Sequence, residues 1–318
     1  MKVAILDDYA GAALRLADWS EVSRSAEVTA FDRHIPPEEM AAVLRDFAVV
    51  CTLRERSTIS RDLMAALPAL QLITVTDPRV RNVDFKGASA RGILISEARL
   101  PGGATPSSAT AEFAWGLLLA LVRNIPSEAA SLRAGRWQSS LGMVLAGRTL
   151  GLVGLGKIGR RVAHYARAFD MNVLAWSQNL TREAAEAAGA TWVEKEELFH
   201  RSDIVSIHYA LGPRSLGLVG AREIAAMKPS AYLLNTSRGP IVDEGALLAA
   251  LQAKRIAGAG LDVFDREPLP DGHPFLALEN VVLTPHLGFV THDSMQLYYK
   301  GMAFAVGAFL RGDPVNPL

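Results

Sequence analysis

The sequence predicts an α/β fold with two domains, each built around a doubly wound parallel sheet. Short β-branched runs alternate along the chain with amphipathic stretches, which is the pattern of βα units stacked on a parallel sheet. The chain has 318 residues, and one domain usually takes about 100–200 residues. Because one series of strands lies before residue 100 and a second begins near residue 148, two α/β domains are the simplest interpretation.

The first series contains five predicted strands, namely Val3–Leu6, Val28–Phe31, Val49–Cys51, Leu72–Val75 and Ile93–Ile95. Helices are predicted between them at Glu38–Arg45 and Arg61–Ala66, the second with Ser60 as its N-cap. Turn-forming residues concentrate in Pro101–Ser108, which therefore marks the best internal boundary. The helix predicted next, Thr110–Arg123, is apolar nearly all round and should be buried between layers.

The second series begins at Thr149–Val153, after which the pattern of strands and helices resumes. Its later strands are Asn172–Trp176, Ile204–Ile207, Ala231–Asn235, Ala257–Leu261 and Val281–Leu283. With about seven strands in all, this series is enough for a complete doubly wound sheet by itself. An amphipathic helix, Asp293–Leu310, follows the last strand.

Composition argues against several classes of protein. Lysine plus arginine (33) equals aspartate plus glutamate (33), whereas proteins that bind nucleic acid or anionic membranes usually carry a basic excess. Cys51 is the single cysteine, which excludes an intrachain disulfide and fits a reducing compartment. The start, Met1–Asp7, predicts a strand rather than a signal peptide, and the longest apolar run, Phe113–Val122, falls short of the ~20 residues that span a bilayer. We therefore expect a soluble, cytoplasmic protein.

A glycine-rich motif of the form G-x-G-x-x-G follows the strand Thr149–Val153 and opens the amphipathic segment Ile158–Phe169. In this context the first glycine makes a tight turn, the second lets the backbone approach a pyrophosphate, and the third lets helix and strand pack closely. The phosphates then meet the helix N-terminus. The motif predicts a dinucleotide site, with cofactor contacts from Gly154, Gly156, Lys157, Ile158 and Gly159.

The choice between NAD and NADP stays open. The strand after the glycine-rich loop should end in an acidic residue that binds the ribose of NAD, but Asn172–Trp176 is followed by Ser177, Gln178 and Asn179. Without that carboxylate, nothing at the strand end repels a 2′-phosphate. We predict Ser177 and Gln178 as cofactor contacts, with Arg182 as a further candidate for NADP.

Three later segments each follow a predicted strand, at the sheet edge where doubly wound folds bind ligands. They are residues 235–244 with Arg238, residues 260–268 with Glu267, and residues 284–288 with His286. Taken singly, each of these side chains has an ordinary structural explanation. In this order behind a dinucleotide loop, the segments resemble the D-2-hydroxyacid dehydrogenase family, which includes phosphoglycerate dehydrogenase, glyoxylate/hydroxypyruvate reductase and D-lactate dehydrogenase.

The resemblance covers nearly the whole chain. Further matching stretches are Leu53–Thr58 with Arg54, Asn82–Asp84, Arg91–Ile93, Ala109–Glu112, Val205–His208 and Met227–Pro229. The family resemblance implies a nucleotide domain of the Rossmann type, residues 99–289, inserted in a flavodoxin-like substrate domain, residues 1–98 and 290–318. It also implies a site in the cleft between the domains and a homodimer built through the apolar surface of residues 110–145.

The roles that the resemblance implies make chemical sense. The guanidinium of Arg238 would bind the carboxylate and carbonyl oxygen of a 2-oxo acid. His286 would donate a proton to the carbonyl oxygen as hydride arrives from the nicotinamide, and would accept it in the reverse direction. Glu267 would stabilise the imidazolium and fix its orientation. The catalytic set is thus Arg238, Glu267 and His286, with no metal ion.

The resemblance places four further residues beside the cofactor, namely Thr236, Ser237, Asp262 and Gly288. On the substrate side it implies Arg54, Thr76, Asp77 and Arg238. The loop at residues 74–81 departs from the family pattern, because two glycines are missing and Pro78 lacks an N–H donor. Asp77, Arg79 and Arg81 add charge there, which leaves the identity of the 2-hydroxy acid open.

Two alternatives accompany this hypothesis. One is a non-catalytic NAD(H)-sensing protein like the corepressors that share the fold, although the presence of Arg238, Glu267 and His286 argues for retained chemistry. The other is an enzyme of a different class with a glycine-rich loop, such as a methyltransferase that binds S-adenosylmethionine. The predicted function is hydride transfer between NAD(P)H and a small D-2-hydroxy/2-oxo acid, of the glyoxylate/hydroxypyruvate or 3-phosphoglycerate type.

Overall fold

A computed structural model describes residues 1–102 and 108–318. The chain forms two compact units, Met1–Pro106 with Thr291–Leu318, and Ser107–Val290. Most of the predicted boundary segment, residues 103–107, lies outside the described residues. The domain bounds predicted from the sequence, 1–98 with 290–318 and 99–289, stay a prediction.

The first unit contains one parallel sheet of five strands: β1 (Lys2–Ile5), β2 (Glu27–Ala30), β3 (Val49–Cys51), β4 (Leu72–Val75) and β5 (Leu94–Glu97). The strand order is β2-β1-β3-β4-β5, which is the flavodoxin-like order. Its helices are α1 (Ala13–Leu16), α2 (Ser20–Ser23), α3 (Pro37–Leu44), α4 (Arg61–Ala66), α5 (Phe85–Ala90) and α13 (His292–Leu310). The numbers α6–α12 belong to the second unit.

The predicted strands of this unit lie within one or two residues of the observed ones. β3 and β4 match because all of their residues are buried, so the apolar run and the strand coincide. β1 and β2 each begin one residue earlier than predicted, at Lys2 and Glu27, which pair with each other. A polar residue at a strand end gives no apolar signal. Helix α4 begins as predicted, since the Ser60 hydroxyl accepts the Leu63 N–H at 3.1 Å.

The second unit contains a parallel sheet of seven strands: β6 (Thr149–Val153), β7 (Asn172–Trp176), β8 (Thr191–Trp192), β9 (Ile204–Ile207), β10 (Tyr232–Asn235), β11 (Gly258–Leu261) and β12 (Val281–Leu283). The order is β12-β11-β10-β9-β6-β7-β8. Counted within the unit this is 3-2-1-4-5-6 with one more strand, so it is the Rossmann order. The prediction of two parallel-sheet α/β domains is confirmed.

The helices of the second unit are α6 (Ala109–Val122), α7 (Ile125–Arg133), α8 (Lys157–Ala168), α9 (Arg182–Glu186), α10 (Lys195–Arg201), α11 (Ala221–Ala226) and α12 (Glu244–Gln252). Short 3-10 turns lie at Gly239–Ile241 and Pro274–Ala277. As predicted, α6 is largely buried: it packs on β10–β12, and its Trp115 contacts the rings of Tyr165 and Phe169.

Parallel strands bring all their carboxyl ends to one edge of a sheet. In the second unit this edge carries the glycine-rich loop and the segments with Arg238, Glu267 and His286. In the first unit it carries Arg54 after β3, and Thr76 and Asp77 after β4. Across residues 1–102 and 108–318, no helix is both long and apolar enough to cross a membrane.

Candidate active site

The glycine-rich loop between β6 and α8 depends on its first and third glycines. Gly154 has φ +100°, a backbone conformation that residues with side chains rarely adopt. A Cβ there would lie 2.4 Å from the carbonyl oxygen of His208, and a Cβ at Gly159 would lie 2.3 Å from that of Gly154. By contrast, a Cβ at Gly156 would have open space around it: apart from its chain neighbours and the backbone of its own helix, no heavy atom of the described residues lies within 4 Å. The space beside Gly156 is therefore available to a ligand.

The first turn of α8 fits an anion. Gly156 is the N-cap, so no N-cap side chain accepts from the first N–H groups of the helix. The first turn contains no acidic residue, and Lys157 is exposed there. A cation at a helix N-terminus is disfavoured by the helix dipole unless an anion lies nearby. These residues therefore fit the pyrophosphate of a dinucleotide, while Ile158 packs against the core behind the loop.

His208, which was not among our predicted site residues, lies beneath this loop. The ring Nε2 of His208 is 2.9 Å from the Ser206 hydroxyl oxygen. Its backbone N–H donates to the carbonyl of Val153 at 2.8 Å. Loss of solvation lowers the pKa of its ring to about 4, so the ring is neutral at pH 7. The sequence indicates His208 only indirectly, through the glycine at position 154. The His208 carbonyl lies so close to Gly154 that no side chain fits there.

At the end of β7, Ser177 is half-buried and Gln178 is exposed, in the place where an NAD-specific site carries an acid. The guanidinium of Arg182 lies 4.6 Å from the centre of the Trp192 ring, close enough for a cation–π interaction. Trp176, the last residue of β7, stacks with Tyr209 at a centroid distance of 6.4 Å. This arrangement contains neither an acid for the ribose nor an arginine bound at the strand end, so it accommodates NAD or NADP.

The segment after β10 forms a turn that places Arg238. The Asn235 side chain accepts the Ser237 N–H at 3.0 Å and donates to the Arg238 carbonyl at 2.9 Å. The Ser237 hydroxyl donates to the Tyr209 carbonyl, and the Arg238 guanidinium donates to the Ser237 carbonyl at 2.7 Å. The Thr236 hydroxyl is buried and has no hydrogen-bond partner in the described part of the chain. Such an atom is one that a bound ligand satisfies.

Gly239 explains how this turn meets the next loop. A Cβ at Gly239 would lie 2.0 Å from the carbonyl carbon of Phe264 and 2.5 Å from the Asp265 nitrogen. The backbone after Arg238 therefore packs directly on the backbone that leads to Glu267. Only glycine allows this approach, and we had not predicted Gly239 as part of the site. The sequence feature that could have indicated Gly239 is its position directly after Arg238.

Asp262, fully buried after β11, holds the loop that carries His286. Its carboxylate accepts the Thr284 hydroxyl at 2.7 Å, the Leu287 N–H at 2.7 Å and the Gly288 N–H at 2.9 Å. Burial raises the pKa of this carboxyl, although the three donors and the charge of His286 act in the opposite direction. We predicted contacts of Asp262 and Gly288 with the cofactor; the structure also joins these two residues to each other.

His286 and Glu267 form a short hydrogen bond, with His286 Nδ1 at 2.6 Å from Glu267 Oε2. Because the ionised carboxylate only accepts, Nδ1 carries its proton and Nε2 is the nitrogen available for proton transfer. His286 has φ +53° and its ring packs edge-on against Phe289 at 5.5 Å, which fixes the ring from a second side. The ring is 19% exposed, so it remains accessible from solvent.

Several interactions keep Glu267 ionised. Burial alone would raise its pKa, but the hydrogen bond and charge of His286, the Phe264 N–H at 3.0 Å and the charge of Arg238 together hold the pKa below its usual value. The peptide bond between Glu267 and Pro268 is cis. The predicted catalytic residues Arg238, Glu267 and His286 thus form one electrostatic cluster at the carboxyl edge of the second sheet.

The predicted substrate residues of the first unit form a cluster of their own. The Arg54 N–H donates to the Thr76 hydroxyl at 3.0 Å, and its guanidinium bonds Asp77 at 3.2 Å. Arg79 bonds the same carboxylate through Nε at 3.1 Å and Nη2 at 3.2 Å. Burial would raise the pKa of Asp77, but Arg79 and Arg54 bring it below its usual value. Tyr298 of α13, another residue we did not predict, also hydrogen-bonds Arg54.

A glycine-rich turn that fits a phosphate, together with an arginine, a carboxylate and a histidine, is the arrangement expected of a dinucleotide-dependent oxidoreductase. The family model described as "D-isomer specific 2-hydroxyacid dehydrogenase, NAD binding domain" matches residues 115–288. Glyoxylate reductase from Thermococcus litoralis is 39% identical over 264 residues, covering 80% of this chain and 78% of the relative. The chain belongs to the D-isomer specific 2-hydroxyacid dehydrogenase family.

Two further relatives agree with this membership. D-3-phosphoglycerate dehydrogenase from Methanocaldococcus jannaschii is 36% identical over 87% of this chain, which spans about half (52%) of that relative's length. The crystal structure of phosphoglycerate oxidoreductase from Vibrio cholerae superposes with a TM-score of 0.91 at 35% identity, covering 98% of this chain and 99% of the other. The family, the enzyme class and a nicotinamide dinucleotide as cofactor are confirmed, and the comparisons give no support to a non-catalytic corepressor.

Proposed function

We propose that the chain catalyses reversible hydride transfer between NAD(P)H and a small D-2-hydroxy/2-oxo acid of the glyoxylate/hydroxypyruvate or 3-phosphoglycerate type. The observation that carries the proposal is the 2.6 Å bond between His286 Nδ1 and Glu267, formed beside Arg238 on the edge that also carries the dinucleotide loop. The names of the relatives, glyoxylate reductase and D-3-phosphoglycerate dehydrogenase, supply the substrate class.

Arg238 is the proposed anchor for the substrate. Its planar guanidinium can bind a carboxylate through two parallel N–H···O bonds, and the remaining positive charge polarises an adjacent carbonyl. The turn between Asn235 and Gly239 fixes the arginine backbone, and the bond to the Ser237 carbonyl orients the side chain. A fixed cation costs little reorganisation when negative charge develops on the carbonyl oxygen.

His286 is the proposed general acid in reduction and general base in oxidation. NAD(P)H, when bound at the glycine-rich loop, supplies the hydride that reaches the carbonyl carbon. The proton on His286 Nε2 goes to the carbonyl oxygen, which becomes the hydroxyl, and the ring is left neutral. Glu267 keeps Nδ1 protonated and stabilises the charged ring before transfer.

The proposed cofactor contacts are Gly154, Gly156, Lys157, Ile158, Gly159, Ser177, Gln178, Thr236, Ser237, Asp262 and Gly288. The fit of the loop, the first turn of α8 and the unpaired Thr236 hydroxyl supports them. On the substrate side we propose Arg54 and Thr76 as contacts. Asp77, whose oxygens already bond Arg54 and Arg79, acts by orienting Arg54.

We further propose that the enzyme is a cytoplasmic homodimer without nucleic-acid or membrane partners. Exposed apolar side chains concentrate in the segment 110–145 and include Ile125, Leu132, Trp137, Leu141 and Val144. Large exposed apolar groups close together are typical of a protein–protein interface. The buried, unpaired Cys51 agrees with a reducing compartment.

The first experiment follows the absorbance of the reduced nicotinamide with purified protein and NADH or NADPH in parallel. The 2-oxo acids are glyoxylate, hydroxypyruvate, phosphohydroxypyruvate, pyruvate and phenylpyruvate. Turnover of at least one 2-oxo acid is the expected result. The ratio of kcat/KM for NADH and NADPH shows which cofactor is preferred by a site with Ser177 in place of an acidic residue. Dinucleotide binding without turnover of any of these acids would contradict the proposal.

A further inference from the structure

We propose that Glu244 and His273 form a positioning pair that fixes the segment 264–267, and thereby sets how firmly Glu267 holds the imidazole of His286. The inference rests on the proposed function, because it assigns a role in proton transfer to two side chains outside the proposed cofactor and substrate contacts. Glu244 lies in the first turn of α12, and His273 immediately precedes the 3-10 turn Pro274–Ala277.

The carboxylate of Glu244 joins three parts of the second unit. Its Oε2 accepts the N–H of Asp265 at 3.3 Å, and its Oε1 lies 3.1 Å from His273 Nε2. The Asp243 side chain caps the same helix by accepting the Ala246 N–H at 2.9 Å, so the first turn of α12 is itself held in place. Glu244 therefore joins a rigid helix to the loop that leads to Glu267.

The segment that Glu244 holds is the one on which Glu267 depends. The N–H of Phe264 donates to Glu267 Oε1 at 3.0 Å, while the next N–H along the chain, that of Asp265, donates to Glu244. On the other side, the close approach of Gly239 leaves no room for the backbone of Phe264 to shift toward the Arg238 turn. The carboxylates of Glu244 and Glu267 and the close approach of Gly239 thus fix the backbone of Phe264 and Asp265, which leads to Glu267.

His273 connects this arrangement to the core. Its Nδ1 accepts the N–H of Phe275 at 3.3 Å, which leaves the ring proton on Nε2, where it donates to Glu244. Phe275 is buried in the core of the second unit, and its ring lies 5.0 Å from the ring of His273. The hydrogen bonds thus run from the core through His273 and Glu244 to the backbone of the catalytic loop.

Charge repulsion acts on Glu244 at this point, and the histidine opposes it. Asp243, Glu244 and Asp265 lie close together: burial and the charges of Glu244 and Asp243 raise the pKa of Asp265, whereas His273 acts in the opposite direction. Glu244 would move away from Asp265 if only the carboxylates determined its place. The Nε2–H of His273, together with the Asp265 N–H, holds Glu244 against this repulsion.

The test compares Glu244→Ala and Glu244→Gln with the wild type. NMR measures the pH midpoint for protonation of the His286 ring, and steady-state kinetics measures the pH profile of reduction. Reduction uses the protonated ring, so activity falls as pH rises through that midpoint. A loosened Glu267 stabilises the imidazolium less, so Glu244→Ala should lower the midpoint by about one pH unit and decrease kcat at neutral pH about 10-fold. Glu244→Gln keeps an acceptor for the Asp265 N–H and should show a smaller shift.

The control is Glu223→Gln, which breaks an ion pair of similar exposure in the same unit, 2.9 Å from Lys195, and should leave the midpoint unchanged. If Glu244→Ala does not fold, His273→Phe keeps an aromatic ring but removes the Nε2–H donor to Glu244 together with the Nδ1 acceptor of the Phe275 N–H. This variant is expected to shift the midpoint in the same direction. An unchanged midpoint in a folded variant overturns the inference. If the wild type reduces no 2-oxo acid, the proposed function fails, but the NMR midpoint still decides whether the pair positions Glu267.

Discussion

At the carboxyl edge of the second sheet, Arg238 and His286 act on the carboxylate of Glu267, whereas at that edge of the first sheet Arg54 and Arg79 both bond Asp77. Both clusters combine two basic side chains with one acid. They differ in the kind of basic group: an imidazole can exchange a proton with a substrate, whereas guanidinium groups stay charged. The cluster of the second unit can therefore transfer a proton, while Arg54, Asp77 and Arg79 of the first unit contribute fixed charge.

This difference between the two clusters suggests a division of roles: the second unit would carry out the reaction, and the first would select the substrate. The segments around Arg238, Glu267 and His286 keep the pattern that the family resemblance led us to expect, and the structure joins them. The segment 74–81 departs from that pattern, and the structure shows a reason for its charges: Asp77 bonds two arginines, one of them, Arg79, with a side chain that is 88% exposed. We infer that the type of reaction is set in the second unit and the choice of acid in the first.

The largest expected effect is that of His286→Ala. Loss of the proton donor should decrease kcat for reduction by about 10²–10⁴-fold, the usual contribution of a general acid. Dinucleotide binding should be unchanged, because the glycine-rich loop and α8 do not depend on the ring. Stopped-flow single turnovers and a fluorescence titration with NADH measure the two quantities. Turnover at the wild-type rate would show that the proton comes from another group, and the comparison between the two clusters would lose its basis.

Much of this arrangement could be predicted from the sequence because most site residues lie in the segments that follow buried, mainly apolar strands. Ile204–Ile207 and Leu72–Val75 are buried along their whole length, and both were predicted with the observed bounds. The two-residue strand Thr191–Trp192 was missed because two residues have no periodicity. Glu244 and His273 are 29 residues apart, and nothing local shows that they meet.

The next prediction uses two glycines of one loop that differ in their surroundings. Gly154→Ala should lower the free energy of unfolding by about 2–4 kcal/mol, because the new Cβ meets the His208 carbonyl and φ is positive. The new Cβ of Gly156→Ala meets no more distant part of the described chain within 4 Å, so stability should stay within about 0.5 kcal/mol. Its Cβ would instead occupy the space for a ligand, and the dissociation constant for the dinucleotide should rise about 10-fold.

Urea unfolding and cofactor titration measure these two effects separately. The unfolding curves give the stability of each variant without cofactor, and the titration gives the affinity of the folded protein. Equal loss of stability in both variants would show that Gly156 is a packing position. Unchanged affinity in Gly156→Ala would place the dinucleotide elsewhere than at the first turn of α8.

The smallest effect is expected at Asp77, where Asp77→Ala and Asp77→Asn separate orientation from charge. If Asp77 orients Arg54, removal of the carboxylate in the alanine variant should raise KM for the 2-oxo acid about 10-fold with kcat nearly unchanged. Asparagine keeps an acceptor for the guanidinium and should raise KM less. Arg81→Ala is the matched control, because it removes a charge from the same loop and its backbone N–H, not its side chain, bonds Glu55. A lower KM in both Asp77 variants would mean that the carboxylate repels the substrate, and the first unit would then select its acid by repulsion rather than through a positioned arginine.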